Sequence, residues 1–132
     1  MRKDCSTIHV LDFDLETGKT IRKITSQGYS NDSCWSRGQA WAIYGFTLAY
    51  KTSQNKRFLE VARGLTEYFI HNLPEDSVPY WDFDDPAIPH AVRDSSAAAI
   101  ACSGLFTLAE VSQQSKFKEV VVKILNSLSV DY

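Results

Sequence analysis

This sequence lacks a net positive charge, an even number of cysteines and long apolar runs. Its 132 residues contain 14 Lys and Arg against 16 Asp and Glu, a net charge of −2, so nothing predicts a basic surface for nucleic acid. The opening MRKDCSTIHV has no apolar core of a signal peptide, and no apolar run has the length expected of a membrane span. We therefore expect a cytoplasmic protein with no nucleic-acid or membrane partner.

The three cysteines are odd in number and show no metal-ligand spacing. Cys34 and Cys102 lie among small and apolar residues, which favours free, buried thiols in a reducing compartment. Hydrophobic residues make up 44% of the chain and charged residues 23%, the composition of an ordinary globular domain. The length suffices for one domain at most.

Alternating β-branched and aromatic residues near the start predict a β-hairpin over about 7–25. TIHVLDF and TIRKIT flank the turn DLETGK, in which Gly18 occupies the position that needs a left-handed backbone. His9 lies in the first strand. A lone histidine in a strand more often packs or forms hydrogen bonds than takes part in catalysis.

The chain is organised around its central stretch, QGYSNDSCWSRGQAWAIYGFTLAY. This stretch predicts a helix over about 33–52, with Asp32 or Ser33 capping its first free N–H groups. Between residues 40 and 50 the helix is apolar on every side, which predicts burial on every side.

Aromatic and polar side chains share the N-terminal end of this helix. Trp35, Arg37, Gln39 and Trp41 follow one another at alternate positions, and the spacing of four places Arg37 and Trp41 on one face. Tryptophan offers a flat apolar plate for a sugar ring, and arginine forks onto a carboxylate. The residues therefore indicate a sugar or anion site, although a core aromatic beside a structural arginine fits the same pattern.

Three further helices are predicted. Residues 56–72 and 116–129 carry apolar side chains on one face, whereas 95–110 is built from small residues and is apolar all round. Asp94 and Ser95 provide caps for the helix at 95–110.

The loop at 74–94 contains all four prolines and many acids and aromatics, which is typical of a functional loop. Helices that are alternately buried and amphipathic predict helical hairpins in two layers. Two hairpins are too few to bury the inner layer, so we expect self-association or a piece of a larger protein.

Three motifs in order, QGYSNDSCWSRGQAWAIYGF, VPYWDFDDP and RDSSAAAIACSGL, resemble the second half of the unsaturated glucuronyl hydrolases, glycoside hydrolase family 88. The resemblance covers nearly the whole chain and implies an (α/α)6 barrel. Residues 1–132 would form one partial barrel domain, mainly helical, with an N-terminal β-hairpin. The related unsaturated rhamnogalacturonyl hydrolases typically read Arg-Gly-Asn-Gly-Trp where this chain has Arg-Gly-Gln-Ala-Trp, which favours the glucuronyl family.

The resemblance also implies a reaction. Polysaccharide lyases leave a C4=C5 double bond in the terminal uronic acid, and this family hydrates that bond, so that the ring opens and the next sugar is released. An aspartic acid protonates C4 and activates water, without a metal or organic cofactor. The family's catalytic aspartates lie upstream of the region that this chain matches, so we expect no catalytic residue here and no activity from this chain alone.

Five residues match the positions that line the family's substrate site: His9, Gln27, Trp35, Arg37 and Trp41. The resemblance implies that the two tryptophans stack on sugar rings. It also implies that Arg37, Gln27 and His9 form hydrogen bonds to the unsaturated uronate or to the attacking water. The expected partner is therefore an unsaturated glucuronyl oligosaccharide.

Two other interpretations stay open at this stage. One is a carbohydrate-binding or helical interaction module that keeps the aromatic wall without catalysis. The other is a small complete enzyme that uses its own carboxylates, such as Asp82 with Asp94. Trp81, Asp82 and Arg93 lie in the matched motifs but receive no role, since loop packing and helix capping explain them equally well.

Overall fold

The computed structural model describes all residues from 1 to 132 and contains one β-hairpin and four helices. The strands are β1 (Val10–Phe13) and β2 (Thr20–Ile24); the helices are α1 (Ser36–Ser53), α2 (Lys56–His71), α3 (Ser95–Ser112) and α4 (Lys116–Val130). Each predicted element is therefore present. The strands are shorter than the hairpin predicted over 7–25, and α1 begins three residues later than predicted.

The hairpin is antiparallel, with Val10 opposite Ile24 and an irregularity between Asp12 and Phe13. Gly18 has a φ of 67°, so the turn uses the left-handed residue that the sequence predicted. The first strand starts at Val10, and His9 therefore lies just outside it, where the chain leaves the helical body.

The two inner helices begin in different ways. Asp94 caps α3 as predicted, since its side chain accepts a hydrogen bond of 2.8 Å from the Ala97 N–H. The cap predicted for α1 at Asp32 or Ser33 is wrong: Trp35 is the N-cap residue and makes no side-chain cap bond. The Ser36 N–H instead donates to the Trp81 carbonyl at 3.1 Å, so a distant loop determines where α1 begins.

The helices form two layers around one core. Helix α1 packs against α2 and α3, and α3 also packs against α4, so α1 and α3 form an inner layer. Gly104 lies where these two helices approach most closely, because a Cβ at this position would lie 2.9 Å from the Tyr44 backbone nitrogen. The largest fully buried apolar side chains are Phe69, Phe117, Ile43, Leu65, Leu105, Leu108 and Ile124.

The prediction that α1 and α3 are buried on every side is wrong for this chain. Trp41 of α1 is 53% exposed and Phe106 of α3 is 48% exposed, and Leu48 is also exposed. Trp41 and Leu48 lie seven residues apart on one face of α1, whereas Phe106 lies toward α4, with Lys118 Nζ 5.4 Å from the centre of its ring. No element of this chain covers the face of the inner layer that carries Trp41 and Leu48.

Helix α3 also corrects the expectation about apolar runs. By length and composition alone, Ser95–Ser112 is apolar enough to cross a membrane. Its buried positions are mainly small residues that contact α1 and α4, which is the composition of a closely packed core helix.

The cysteines are unpaired, as predicted, with Cys34 and Cys102 buried and Cys5 half-buried. Burial raises the pKa of the Cys34 thiol, and it raises the pKa of Cys102 to about 11. Both buried thiols therefore stay protonated at neutral pH and act as small apolar side chains.

Two glycines of the inner layer provide a matched test of this packing. Gly104→Ala forces a methyl group against the backbone of α1, and such overpacking costs about 1–3 kcal/mol of unfolding free energy. Gly45→Ala meets nothing within 4 Å and should raise stability by about 0.5–1 kcal/mol through helix propensity. Urea unfolding of both variants measures the difference. Equal gains in stability for the two variants would contradict the close approach at Gly104.

Candidate functional site

His9 and Trp35 are in direct contact at one end of the inner layer. Their ring centroids lie 4.5 Å apart with the planes inclined by 35°. His9 Nδ1 accepts the Ser26 N–H at 3.3 Å and lies 3.1 Å from the Thr25 hydroxyl oxygen. Because Nδ1 accepts a hydrogen bond from the Ser26 N–H, the neutral imidazole carries its own proton on Nε2, which has no partner in the chain.

Arg37 also lies close to the Trp35 ring. Its guanidinium carbon lies 5.6 Å from the centre of the Trp35 ring. Arg37 Nε donates to Asp94 Oδ2 at 3.0 Å, and Nη2 lies 2.9 Å from the same oxygen as an ion pair. The Arg37 side chain is 40% exposed and that of Asp94 only 4%, so one edge of the guanidinium is already paired while Nη1 has no partner in the chain.

Asp94 joins the N-terminal ends of both inner helices. One carboxylate oxygen caps α3 through the Ala97 N–H, and the other pairs with the guanidinium of Arg37 at the start of α1. A carboxylate at a helix N-terminus also lies at the positive end of the helix dipole. The ion pair therefore fixes the relative position of α1 and α3 where the candidate site residues lie.

Trp41 lies one helical turn beyond Arg37 on the uncovered face of the inner layer. Its ring meets Tyr44 edge-on at 5.8 Å. The two side chains line a shallow groove of about 330 Å³ together with Ala99, Ile100 and Ser103 of α3. Trp41 therefore presents a flat apolar surface to which a sugar ring has access.

Gln27 is exposed and makes no hydrogen bond within the chain. It lies in the loop that connects β2 to α1. The structure thus brings His9, Trp35 and Arg37 into one cluster and places Trp41 a turn away, whereas the Gln27 side chain contacts none of them through a hydrogen bond.

Gln39, the polar residue that the sequence grouped with the site, is a buried structural residue. Its Oε1 accepts the Thr7 N–H at 2.9 Å, and its Nε2 donates to the carbonyls of Cys5 and Leu65 at 3.0 and 2.9 Å. Gln39 therefore attaches the segment before His9 to the helices, and its amide is not available to a ligand.

Sequence reasoning missed Arg2, which performs a related task at the opposite edge of the same segment. Its guanidinium donates to the Thr7 carbonyl at 2.6 Å and to the carbonyls of Asn31 and Ser33, both at 3.1 Å. No local pattern marks this residue, because two of its three carbonyl partners lie about thirty residues away.

The acids Asp82 and Asp94 do not form a catalytic pair. Asp82 is fully buried and accepts hydrogen bonds from the Tyr29 N–H, the Ser33 hydroxyl and the Asp84 N–H. Asp94 is occupied by Arg37 and by its cap. Both carboxylates are therefore engaged by protein groups, which argues against the interpretation of a small complete enzyme.

No group of three or more His, Cys, Asp or Glu side chains is arranged to hold a metal ion. The chemistry that the cluster offers is hydrogen bonding by His9 and Arg37 and stacking by the tryptophans. These groups bind and orient a polar ring or a carboxylate, and they include no free carboxylic acid for proton transfer to carbon.

The double role of Asp94 leads to a quantitative expectation. Asn55 caps α2 through the Arg57 N–H at 3.0 Å but has no charged partner, so Asn55→Ala removes only a cap, about 0.5–2 kcal/mol. Asp94→Ala removes a cap and the Arg37 pair, and should cost roughly 1 kcal/mol more, since Arg37 is partly solvated. A double-mutant cycle with Arg37→Ala measures the pair by thermal unfolding; a coupling near zero would contradict it.

Comparison with known proteins gives consistent results, although no family model matches the chain. The unsaturated glucuronyl hydrolase of Formosa agariphila is 43% identical over 97% of this chain and 32% of its own length. That of Bacillus sp. strain GL1 is 44% identical over 87% of this chain and 30% of its own length. The unsaturated chondroitin disaccharide hydrolase of Streptococcus pneumoniae is 40% identical.

Solved structures agree with the sequence relatives. The crystal structure of the Bacillus sp. GL1 unsaturated glucuronyl hydrolase superposes with a TM-score of 0.94 and 39% identity, covering 99% of this chain and 36% of that one. An unsaturated glucuronyl hydrolase specific for heparin gives a TM-score of 0.93 over 98% of this chain. The chain thus spans about a third of the length of the relatives that it matches.

These matches confirm the resemblance seen in the motifs and the partial (α/α)6-barrel fold. They pair about 40% identity with nearly complete coverage of this chain and almost superposable helices. By sequence and by fold, the chain belongs to the unsaturated glucuronyl hydrolases, a family of glycoside hydrolases, and it corresponds to about a third of such a protein.

Proposed function

We propose that this chain forms one wall of the substrate site in an unsaturated glucuronyl hydrolase. The whole protein would hydrate the C4=C5 bond of the terminal unsaturated uronic acid in oligosaccharides made by polysaccharide lyases, and so release the next sugar. The observation that carries the proposal is the cluster of His9, Trp35 and Arg37, with Trp41 one turn away. A related Streptococcus agalactiae enzyme has been crystallised with dGlcA-GalNAc6S, which supports this class of substrate.

In this proposal each side chain has a distinct task. The exposed ring of Trp41 and the ring of Trp35 stack against sugars. The unpaired Nη1 of Arg37 donates to the uronate carboxylate, and the exposed amide of Gln27 adds a hydrogen bond. The Nε2–H of His9 holds a hydroxyl or the attacking water. No cofactor enters the scheme.

The proton donor to C4 comes from outside this chain. The buried carboxylates of Asp82 and Asp94 are both occupied by protein donors, so neither can deliver a proton to a bound sugar. The 132-residue chain alone therefore carries substrate-binding residues but no proton donor.

We expect no turnover of unsaturated uronyl disaccharides by the isolated chain, measured as loss of the ultraviolet absorbance of the conjugated C4=C5 bond. A chimera in which this chain replaces the corresponding third of the Bacillus sp. GL1 enzyme should turn over the same substrates. Activity of the isolated chain would transfer the catalytic role to its own carboxylates. A folded chimera that binds the disaccharide but never hydrates it would favour a carbohydrate-binding module, and one that acts only on rhamnogalacturonyl substrates would favour that related family.

Arg37→Ala in the active chimera should lower turnover by about a hundredfold, because a charge-assisted bond to a carboxylate contributes a few kcal/mol. Arg37→Lys should restore only part of the rate, since an ammonium group cannot donate from a planar fork. Arg22→Ala, on the exposed hairpin, is the matched control. Asp94→Asn keeps the arginine but weakens its pair, so a loss equal to that of Arg37→Ala would reduce Arg37 to a purely structural role.

The uncovered face of the inner layer leads to an expectation about self-association. Trp41 and Leu48 expose apolar surface on α1 that no part of this chain covers. We expect the isolated chain to associate or aggregate through this face. Leu48→Glu should reduce light scattering, whereas Val122→Glu, at an exposed apolar position on α4, should not. A monodisperse monomer whose melting is independent of concentration would contradict the expectation.

A further inference from the structure

The VPYWDFDDP motif has a buried carboxylate at its centre, and the binding wall described above does not use it. Asp82 is fully buried. Its Oδ2 accepts the Tyr29 N–H at 2.9 Å and the Ser33 hydroxyl at 2.8 Å, and its Oδ1 accepts the Asp84 N–H at 3.0 Å. Burying a carboxylate costs free energy unless hydrogen-bond donors surround it. These three bonds offset that cost and hold the loop in place.

The backbone around Asp82 is equally engaged with the start of α1. Asp82 and Trp35 form an isolated antiparallel bridge, with the Phe83 N–H donating to the Cys34 carbonyl at 3.0 Å. The neighbouring Asp84 carboxylate accepts the Cys34 N–H at 2.8 Å. This one loop therefore binds the segment that carries Trp35 through both backbone and side-chain hydrogen bonds.

Gly28 shows how closely the two loops approach. A Cβ at this position would lie 2.9 Å from Asp82 Oδ2 and 2.8 Å from the Thr25 hydroxyl. Thr25 is also the residue whose hydroxyl contacts the imidazole of His9. The Asp82 carboxylate therefore packs against the backbone of Gly28. Gly28 follows Gln27 in the chain and lies close to Thr25, whose hydroxyl contacts His9.

We propose that Asp82 is a positioning residue of the substrate wall: through the Tyr29–Ser36 segment it determines where the Trp35 ring lies against His9 and where Gln27 is presented. The importance of this position for substrate rests on the proposed function. Asp82 itself has no exposed atom, so it cannot contact a ligand directly. Its effect reaches the site only through the segment that it holds.

The contact between His9 and Trp35 provides a readout that does not require turnover. An imidazole in contact with an indole alters its fluorescence, so His9→Asn should change the tryptophan emission of the 132-residue chain. This change reports the contact. In an Asp82→Asn chain, where an amide donor replaces an accepting oxygen, the same His9→Asn substitution should no longer change the emission, although the helical circular dichroism is retained.

Gly28→Ala disturbs the same packing from the opposite loop and leaves the Asp82 carboxylate intact. It should weaken the His9-dependent fluorescence change in the same direction as Asp82→Asn. Asp32→Asn is the matched control, since Asp32 lies in the same loop, is exposed and makes no hydrogen bond. Folded Asp82→Asn and Gly28→Ala chains that both keep the full change would overturn the proposal. If Asp82→Asn does not fold, Gly28→Ala alone decides.

Kinetics of the active chimera distinguish positioning from catalysis. Asp82→Asn should raise KM by about ten- to a hundredfold, with a smaller effect on kcat and an unchanged pH profile, because misplacement of a binding group weakens substrate binding. A collapse of kcat at unchanged KM with loss of a limb of the pH profile would make Asp82 catalytic and overturn the proposal. An inactive chimera refutes the proposed function instead, and the fluorescence result then still tests the position of Trp35.

Discussion

The ion pair between Arg37 and Asp94 is the interaction on which the arrangement of the site depends. It connects the first turn of α1 to the first residue before α3, and these two helices make up the inner layer. Removing a carboxylate from water is unfavourable, but this one gains a cap bond, an ion pair with a guanidinium and the field of a helix N-terminus. Because Arg37 is partly exposed, its guanidinium loses less hydration when the ion pair forms.

This pairing also changes what Arg37 can offer to a ligand. A free guanidinium binds a carboxylate through two parallel hydrogen bonds, whereas Arg37 has already committed Nε and Nη2 to Asp94. A uronate would therefore meet a partly neutralised group and bind through the remaining edge. For a carboxylate ligand, the arrangement favours orientation over strong charge attraction.

Elements that depend on local chemistry could be predicted from the sequence. The one-faced apolar patterns gave α2 and α4 within one or two residues, Asp94 caps α3, and Gly18 adopts the left-handed backbone. The start of α1 was misplaced because its first N–H groups bond to Trp81, forty-five residues away, and not to a local cap. The prediction of burial on every side failed because it depends on neighbours that this chain does not contain.

The acidic loop between α2 and α3 shows the same limit. Its carboxylates suggested a catalytic role, but several form hydrogen bonds within the loop. Asp76, Asp82 and Asp85 each accept a hydrogen bond from the N–H of the residue two positions later. Arg93 lies 3.9 Å above the Tyr80 ring and pairs with Asp76, so the aromatics are also used for packing. Acid-rich composition thus indicated an ordered loop and not a catalytic one.

The amide of Gln39 has a consequence for how this protein can vary. It accepts from Thr7 while donating to Cys5 of the same segment and to Leu65 of α2, so position 39 needs a donor and an acceptor at the end of a three-carbon side chain. Glutamate lacks the donors, methionine lacks both functions, and asparagine is one methylene too short to span the same partners. A natural change at position 39 should therefore appear together with a shift of the backbone near residues 5–7, and alignments of relatives should show the two regions changing in concert.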